Sequence, residues 1–374
     1  SPVQALPTSS EWSSLWNWMF YRQPFGQRGA RWMYFLVRRD LVPGQQQFSS
    51  AAPPAQASTP IIQEPTLRAS VLGSFGSSPG ASGVRGPRGL AVGAHGDIYV
   101  ADPLGHQVVR YSSSGTYLGS WGKAGTAQGQ FSPRDSPQDL TVGPDHNVYV
   151  VDTWNQRIEV FSPSGTFLRQ WGGGAIGTKI GQYYGPRGIA VSANGRVYIA
   201  DTGNKRIQVY TTHGRYLTSW GTAGTALGQF QEPSSVAVAK DGTVYVSDFW
   251  NQRMQAFTSS GTYLRSWRVP EWTFGSYDEP YVSVNSSGTR VFATQPQQQR
   301  VAEFSATGRL IGVFGSANLT TPVGVAALPS GLVAVSDAGA HAVRLFSLST
   351  GAPSTAVKVQ RAAHRPSAKQ VPKP

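Results

Sequence analysis

The chain of 374 residues has no cysteine, so a disulfide framework, a thiolate metal site and a cysteine nucleophile are all excluded. Histidine is scarce at 6 residues, and the 19 acidic side chains are outnumbered by 32 basic ones. No apolar run approaches the roughly 20 residues that cross a bilayer as a helix, and no long stretch keeps a helical period. The first residue is Ser1, with no basic-then-apolar leader behind it, so a processed or trimmed chain is the expectation. Absence of cysteine fits an extracytoplasmic bacterial protein and also a cytosolic one. The working expectation is the cell surface or an extracytoplasmic assembly.

The chain is rich in turn formers, with 43 glycines and 26 prolines spread between short apolar runs. That distribution predicts an all-β fold. The net charge of +13 is unevenly placed: residues 1–69 carry 6 basic and 3 acidic side chains, 70–348 carry 21 and 16, and 349–374 carry 5 and none. The central region is therefore only mildly basic, which argues against a surface built as a whole for nucleic acid.

Self-similarity organises the centre. One unit runs from Pro186 through Ile189-Ala190-Val191, the turn Asn194-Gly195, Val197-Tyr198-Ile199-Ala200-Asp201, Arg206 to Tyr210, the turn His213-Gly214, and Tyr216-Leu217 to Trp220-Gly221. Its lead proline recurs as Pro87, Pro137, Pro186, Pro233, Pro280 and Pro322. Four short strands at such a period predict the blades of a six-bladed β-propeller. The sixth unit lacks a fourth strand, and Val71 to Gly76, which matches Tyr117 to Gly122, is predicted to supply it and close the ring. Domain boundaries follow: an aromatic segment and linker over 1–69, the propeller over 70–348, and a flexible basic tail over 349–374.

Asp152-Thr153-Trp154-Asn155-Gln156-Arg157-Ile158 and Asp201-Thr202-Gly203-Asn204-Lys205-Arg206-Ile207 resemble the core of the NHL repeat. Asp248 to Met254 repeats it well, while Asp102 to Val108 and Asp337 to Val343 do so in part and place His106 and His341 at the histidine position. Blade five departs furthest, with Thr294 read in place of the aspartate. The resemblance implies binding of proteins, RNA or glycans for most of the family, and lyase or calcium-dependent hydrolase activity for a minority of related six-bladed proteins. The recurring aspartates read as structural, each ending a second strand and accepting turn N–H groups, with Arg157, Arg206 and Arg253 as partners.

Residues 11–48 interleave Trp12, Trp16, Trp18, Phe20, Tyr21, Trp32, Tyr34 and Phe35 with arginines. They resemble the soluble end of bacterial membrane glycosyltransferase-like polypeptides that carry C-terminal propellers, though none of that family's catalytic residues is present. The alternative is a segment packing on the propeller or on a second subunit, a route to self-assembly. The tail, with Lys358, Arg361, Arg365, Lys369 and Lys373, is suited to touching an anionic surface.

Functional residues should break the repeat. After the lead proline the blades offer Arg88, Gln138, Arg187, Ser234, Tyr281 and Val323, and one position on, Asp139 stands where other blades have Gly89, Gly188, Ser235, Val282 and Gly324. This ring near the axis reads as a recognition site, with internal pairing of the arginines the alternative. Loop positions on the same face offer Leu104, Trp154, Phe249 and Trp250, and the connection before blade three adds Tyr183 and Tyr184. Aromatics at loop tips are typical anchors for protein or sugar, unless they cap blade edges.

An enzyme reading is poorly supplied. His95, His146 and His213 fall in turns of the opposite face, and His106 with His341 lacks a third ligand. The three-histidine set of a lyase-type propeller cannot be assembled. The prediction is a non-catalytic recognition or scaffold propeller with no metal or other cofactor. A metal-dependent lyase or hydrolase is the alternative, and an RNA-binding NHL domain the second.

Overall fold

The computed structural model describes residues 65–349, apart from 79, 81, 270 and 273–278. The readings of residues 11–48 and of the basic tail lie outside the described residues.

The first strand, β1 (Arg68–Phe75), belongs to the last blade. Blade one is β2 (Leu90–Val92), β3 (Ile98–Asp102), β4 (Gln107–Tyr111) and β5 (Tyr117–Trp121). Blade two is β6 (Asp139–Val142), β7 (Val148–Asp152), β8 (Arg157–Phe161) and β9 (Phe167–Gly172). Blade three is β10 (Gly188–Val191), β11 (Arg196–Asp201), β12 (Arg206–Thr211) and β13 (Tyr216–Trp220). Blade four is β14 (Pro233–Val238), β15 (Val244–Asp248), β16 (Arg253–Phe257) and β17 (Tyr263–Arg268). Blade five is β18 (Val282–Val284), β19 (Arg290–Gln295), β20 (Arg300–Ser305) and β21 (Leu310–Phe314). Blade six is β22 (Pro322–Ala327), β23 (Val333–Asp337) and β24 (Ala342–Ser349). Each blade is an antiparallel four-stranded sheet in sequence order, except that β1 is the outer strand of the sixth.

The predicted closure is present: β1 pairs antiparallel with β24 from Arg68 opposite Ser349 to Phe75 opposite Val343. Just before it, Leu67 donates to the Val313 carbonyl and Val313 to the Pro65 carbonyl, both at 2.9 Å, so the chain first covers the outer edge of blade five. An edge that would expose unpaired peptide groups is thereby occupied.

The core is divided among the gaps between blades. Six apolar clusters each take one face from one blade and one from the next. Ile158, Val160 and Tyr149 of blade two meet Ile189, Ile199 and Tyr210 of blade three, and Val100 and Val109 of blade one meet Ala334 and Val343 of blade six. This explains why the second strands read as unbroken apolar runs: Val148–Asp152 and Val244–Asp248 are buried at every position, because both faces are covered. Among the described residues no helix is long and apolar enough to cross a membrane.

Candidate functional site

Five of the six second strands end in a buried aspartate, and this residue holds the blade to the connection preceding it. Asp152 Oδ1 accepts the Ser132 N–H at 2.8 Å, Asp201 Oδ1 the Tyr184 N–H at 2.8 Å and Asp248 Oδ1 the Gln231 N–H at 2.9 Å. The other oxygen of each takes Nε–H of Arg157, Arg206 or Arg253 at 2.8 Å. The structural reading of these pairs is therefore present in the geometry. In blade five the aspartate is replaced by Gln295, which accepts Arg300 Nε–H at 2.7 Å, and not by Thr294, so the sequence register was one residue short there. Thr294 instead bonds the Val323 carbonyl at 2.7 Å.

The histidine position of the repeat is left-handed in every blade, at His106, Gln156, Lys205, Gln252, Gln299 and His341, with φ of 51–57°. The side chain there commonly reaches the neighbouring blade. Gln156 Oε1 accepts the Gly185 N–H at 2.8 Å, Lys205 Nζ pairs with Glu232 at 2.9 Å, His106 Nδ1 lies 3.3 Å from the Ser136 carbonyl, and His341 Nδ1 bonds the Arg85 carbonyl. Both histidines thus occupy inter-blade latches. Among the described residues no group of three or more histidine, aspartate or glutamate side chains gathers to hold a metal ion.

At the axis the predicted ring closes on itself. Arg88 Nη1 donates to Gln138 Oε1 at 2.8 Å, and Gln138 Nε2 donates to Asp135 Oδ2 at 2.7 Å. Tyr281, in blade five, is buried and donates to the Gln138 carbonyl of blade two at 2.9 Å. Arg187 forms an ion pair with Glu279. Asp139 is buried and accepts the Ile189 N–H of blade three at 3.0 Å. Burial raises its carboxyl well above the usual carboxylate range, although the N–H groups of Ile189 and Leu140 pull it back. Burial likewise raises the Tyr281 phenol. The same level is belted by side chain to backbone bonds: Ser234 Oγ to the Pro280 carbonyl at 3.2 Å, Thr202 Oγ1 to the Pro233 carbonyl at 2.8 Å, and Ser336 Oγ to the Arg88 carbonyl at 2.6 Å. Beneath this stopper lies a channel space of about 190 Å³, running from Asp139 and Tyr281 to Val142, Val191, Val238 and Val284 at the opposite end of the inner strands.

The loop aromatics divide into two groups. Tyr183 and Phe249, expected at loop tips, are fully buried. Tyr183 accepts the Trp171 Nε1–H at 3.1 Å, and Phe249 packs edge-on against Trp272. Each belongs to a loop by position, but its side chain folds back onto the sheet. Trp154, Tyr184 and Trp250 are half-buried. The Arg134 guanidinium stacks 5.1 Å over the Trp154 ring, and Lys205 Nζ lies 5.4 Å over that of Trp250. Blade three has Gly203 where blades two and four have these tryptophans. A Cβ there would lie 2.5 Å from the Tyr184 ring, so the glycine makes room for the tyrosine to take the missing aromatic place. Leu104, 57% exposed, holds the equivalent position in blade one. Sequence reasoning missed Ile176, Ile180 and Leu227, which are exposed on the connections of the same face. The available signal was their standing at the repeat positions of Ala124, Gln128 and again Gln128 in the connection from blade one.

Three units, residues 135–161, 183–210 and 230–257, match the model of the NHL repeat. With the six four-stranded blades, this makes the chain an NHL-repeat six-bladed β-propeller. No curated protein matches the chain. Among solved structures, a gluconolactonase from Xanthomonas campestris is similar at 13% identity and a TM-score of 0.53, covering 71% of this chain and 87% of that one. A chain of a nidogen/laminin complex is similar at 17% identity and 0.50, covering 66% and 85%. An inactive virginiamycin B lyase from Staphylococcus aureus with quinupristin is similar at 14% and 0.50, covering 70% and 83%. At these identities the likeness is one of fold, and the fold is shared by a lactonase, a lyase and a chain of a nidogen/laminin complex.

Proposed function

We propose that this propeller is a non-catalytic recognition module that binds a protein or glycan partner through its loop face, outside the cytoplasm. The observation that carries the reading is the contrast between the axis and the perimeter. At the axis Arg88, Gln138, Asp139, Arg187 and Tyr281 are each bonded to a residue of another blade or connection, so these side chains already serve the ring's own contacts. Around it, Leu104, Trp154, Tyr184 and Trp250 form an arc over blades one to four, with Ile180 and Leu227 exposed on the same face. Half-exposed aromatics held by cations are preorganised anchors, because little side-chain freedom remains to be lost on binding.

The test is to compare what co-purifies with the native protein, and what it binds on a glycan array, with the doubly substituted Trp154→Ala, Trp250→Ala variant. The expected result is loss of the partner with an unchanged melting temperature. A partner retained by that variant and lost on His146→Ala and His213→Ala would overturn the choice of face.

A further inference from the structure

The six third strands disagree at one position, which is buried in every blade but the sixth. Aligned on the second-strand aspartate, it holds Val109, Glu159, Gln208, Gln255, Ala302 and Arg344. Where the residue is polar and not acidic, it is a donor. Gln208 Nε2 donates to Asp201 Oδ2 at 2.9 Å and to the Gln182 carbonyl at 2.8 Å. Gln255 Nε2 donates to Asp248 Oδ2 at 3.2 Å and to the Gln229 carbonyl at 2.8 Å. Arg344 Nε donates to Asp337 Oδ2 at 3.1 Å.

Glu159 is fully buried in the same orientation. Its Oε1 accepts the Gly129 N–H at 3.0 Å, just as Gln255 Oε1 accepts the Gly228 N–H at 2.9 Å. Its Oε2 therefore stands in the place of the amide nitrogen, and it has no hydrogen-bond partner among the described residues. The groups equivalent to the amide's two acceptors are Asp152 Oδ2 and the Gln130 carbonyl, and neither has a hydrogen to give. A carboxylate here would set two acceptors against one, whereas a carboxylic acid repeats the pattern of blades three and four. We propose that Glu159 is protonated in the folded protein, its Oε2–H donating where the amides of Gln208 and Gln255 donate, and that this proton latches the blade-one-to-blade-two connection in a pH-dependent way.

The charged groups about it agree. Arg157 Nη2 lies 3.3 Å from Glu159 Oε1, but its Nε already serves Asp152 at 2.8 Å, so one guanidinium faces two carboxyl groups. Burial raises the Glu159 pKa to about 7, Arg157 and the Gly129 N–H oppose the rise, and Asp152 adds to it. The same cluster ties down the connection. Arg157 donates to the carbonyls of Thr126, Ala127 and Gln130 at 2.8, 2.9 and 2.6 Å, and Asn155, beside Trp154, donates to the Gly125 carbonyl at 2.9 Å. The inference stands on the interior of blade two and does not depend on the binding role.

The folded pKa is above the unfolded one, so the stabilisation is complete below about pH 4.3 and is lost as pH rises through 7. The experiment compares urea unfolding of the full chain with that of Glu159→Gln between pH 5 and 8.5. Relative to the variant, the native protein's unfolding constant should rise about tenfold per pH unit up to 7 and then level, a total on the order of a hundredfold. Gln255→Glu should add a second dependence of the same sign in blade four, and the infrared difference between the native protein and Glu159→Gln near neutral pH should contain a protonated-carboxyl band. Parallel stability curves for the native protein and Glu159→Gln, or no infrared band, would overturn the proposal.

Discussion

Tyr281 of blade five gives its phenolic hydrogen to the Gln138 carbonyl of blade two at 2.9 Å, joining non-adjacent blades over the mouth of the channel. That carbonyl also accepts the Gly89 N–H at 3.2 Å, so removing the phenol leaves no orphaned acceptor. Tyr281→Phe should therefore cost only about 1 kcal/mol. Tyr281→Ala, which also empties a packed site, should cost about 3–5 kcal/mol. Chemical unfolding of the two variants measures the difference, and equal losses would mean that the ring contributes nothing by packing.

Arg187 pairs with Oε1 of Glu279, whose side chain is only 7% exposed and whose Oε2 has no hydrogen-bond partner among the described residues. Arg187→Ala should lower the melting temperature, through a loss of about 2 kcal/mol or more from the stranded carboxylate. Because Arg187 keeps 23% exposure, the loss should fall short of that for a wholly buried pair. Arg187→Ala is for this reason a poor probe of binding, and the perimeter tryptophans are better ones.

Removing residues up to Phe75 should unpair β24 and leave the rest of the ring folded, because β1 is the outer strand of blade six alone. Hydrogen exchange should show lost protection at the Val343 and Leu345 amides, which face β1, with little change in blade three. Unchanged protection in β24 would contradict the closure.

Much of this architecture was legible in the sequence because propeller blades are local. The lead prolines, the turn glycines and the recurring aspartates each mark a strand end, and Val71 to Gly76 was recognisable as the missing strand from its likeness to Tyr117 to Gly122. The failures have one physical root, which is that loop membership does not say where a side chain turns. Tyr183 and Phe249 share loops with half-exposed Tyr184 and Trp250, yet they are the ones that fold inward. The partner of Arg187 was equally hidden, since Glu279 lies in a connection outside the repeat. Glu159 was legible in principle, because aligning the six third strands shows one carboxyl among donors and apolar residues.

Perimeter anchors and blade packing should separate in mutagenesis. Trp154→Ala and Trp250→Ala remove half-exposed rings and should each change stability by less than about 1 kcal/mol while weakening partner binding by about 2 kcal/mol or more. Phe249→Ala, beside Trp250 but buried against Trp272, should instead cost about 3–5 kcal/mol of stability. Calorimetric melts of the three variants distinguish the roles before any partner is known.

The loop-face account is tested most directly by photo-crosslinking in the native host, with a photoreactive side chain placed at Trp154 or Trp250 on one face and at His146 or His213 on the other. The account predicts a discrete adduct from the first pair and none from the second. An adduct formed only from His146 or His213 would contradict it.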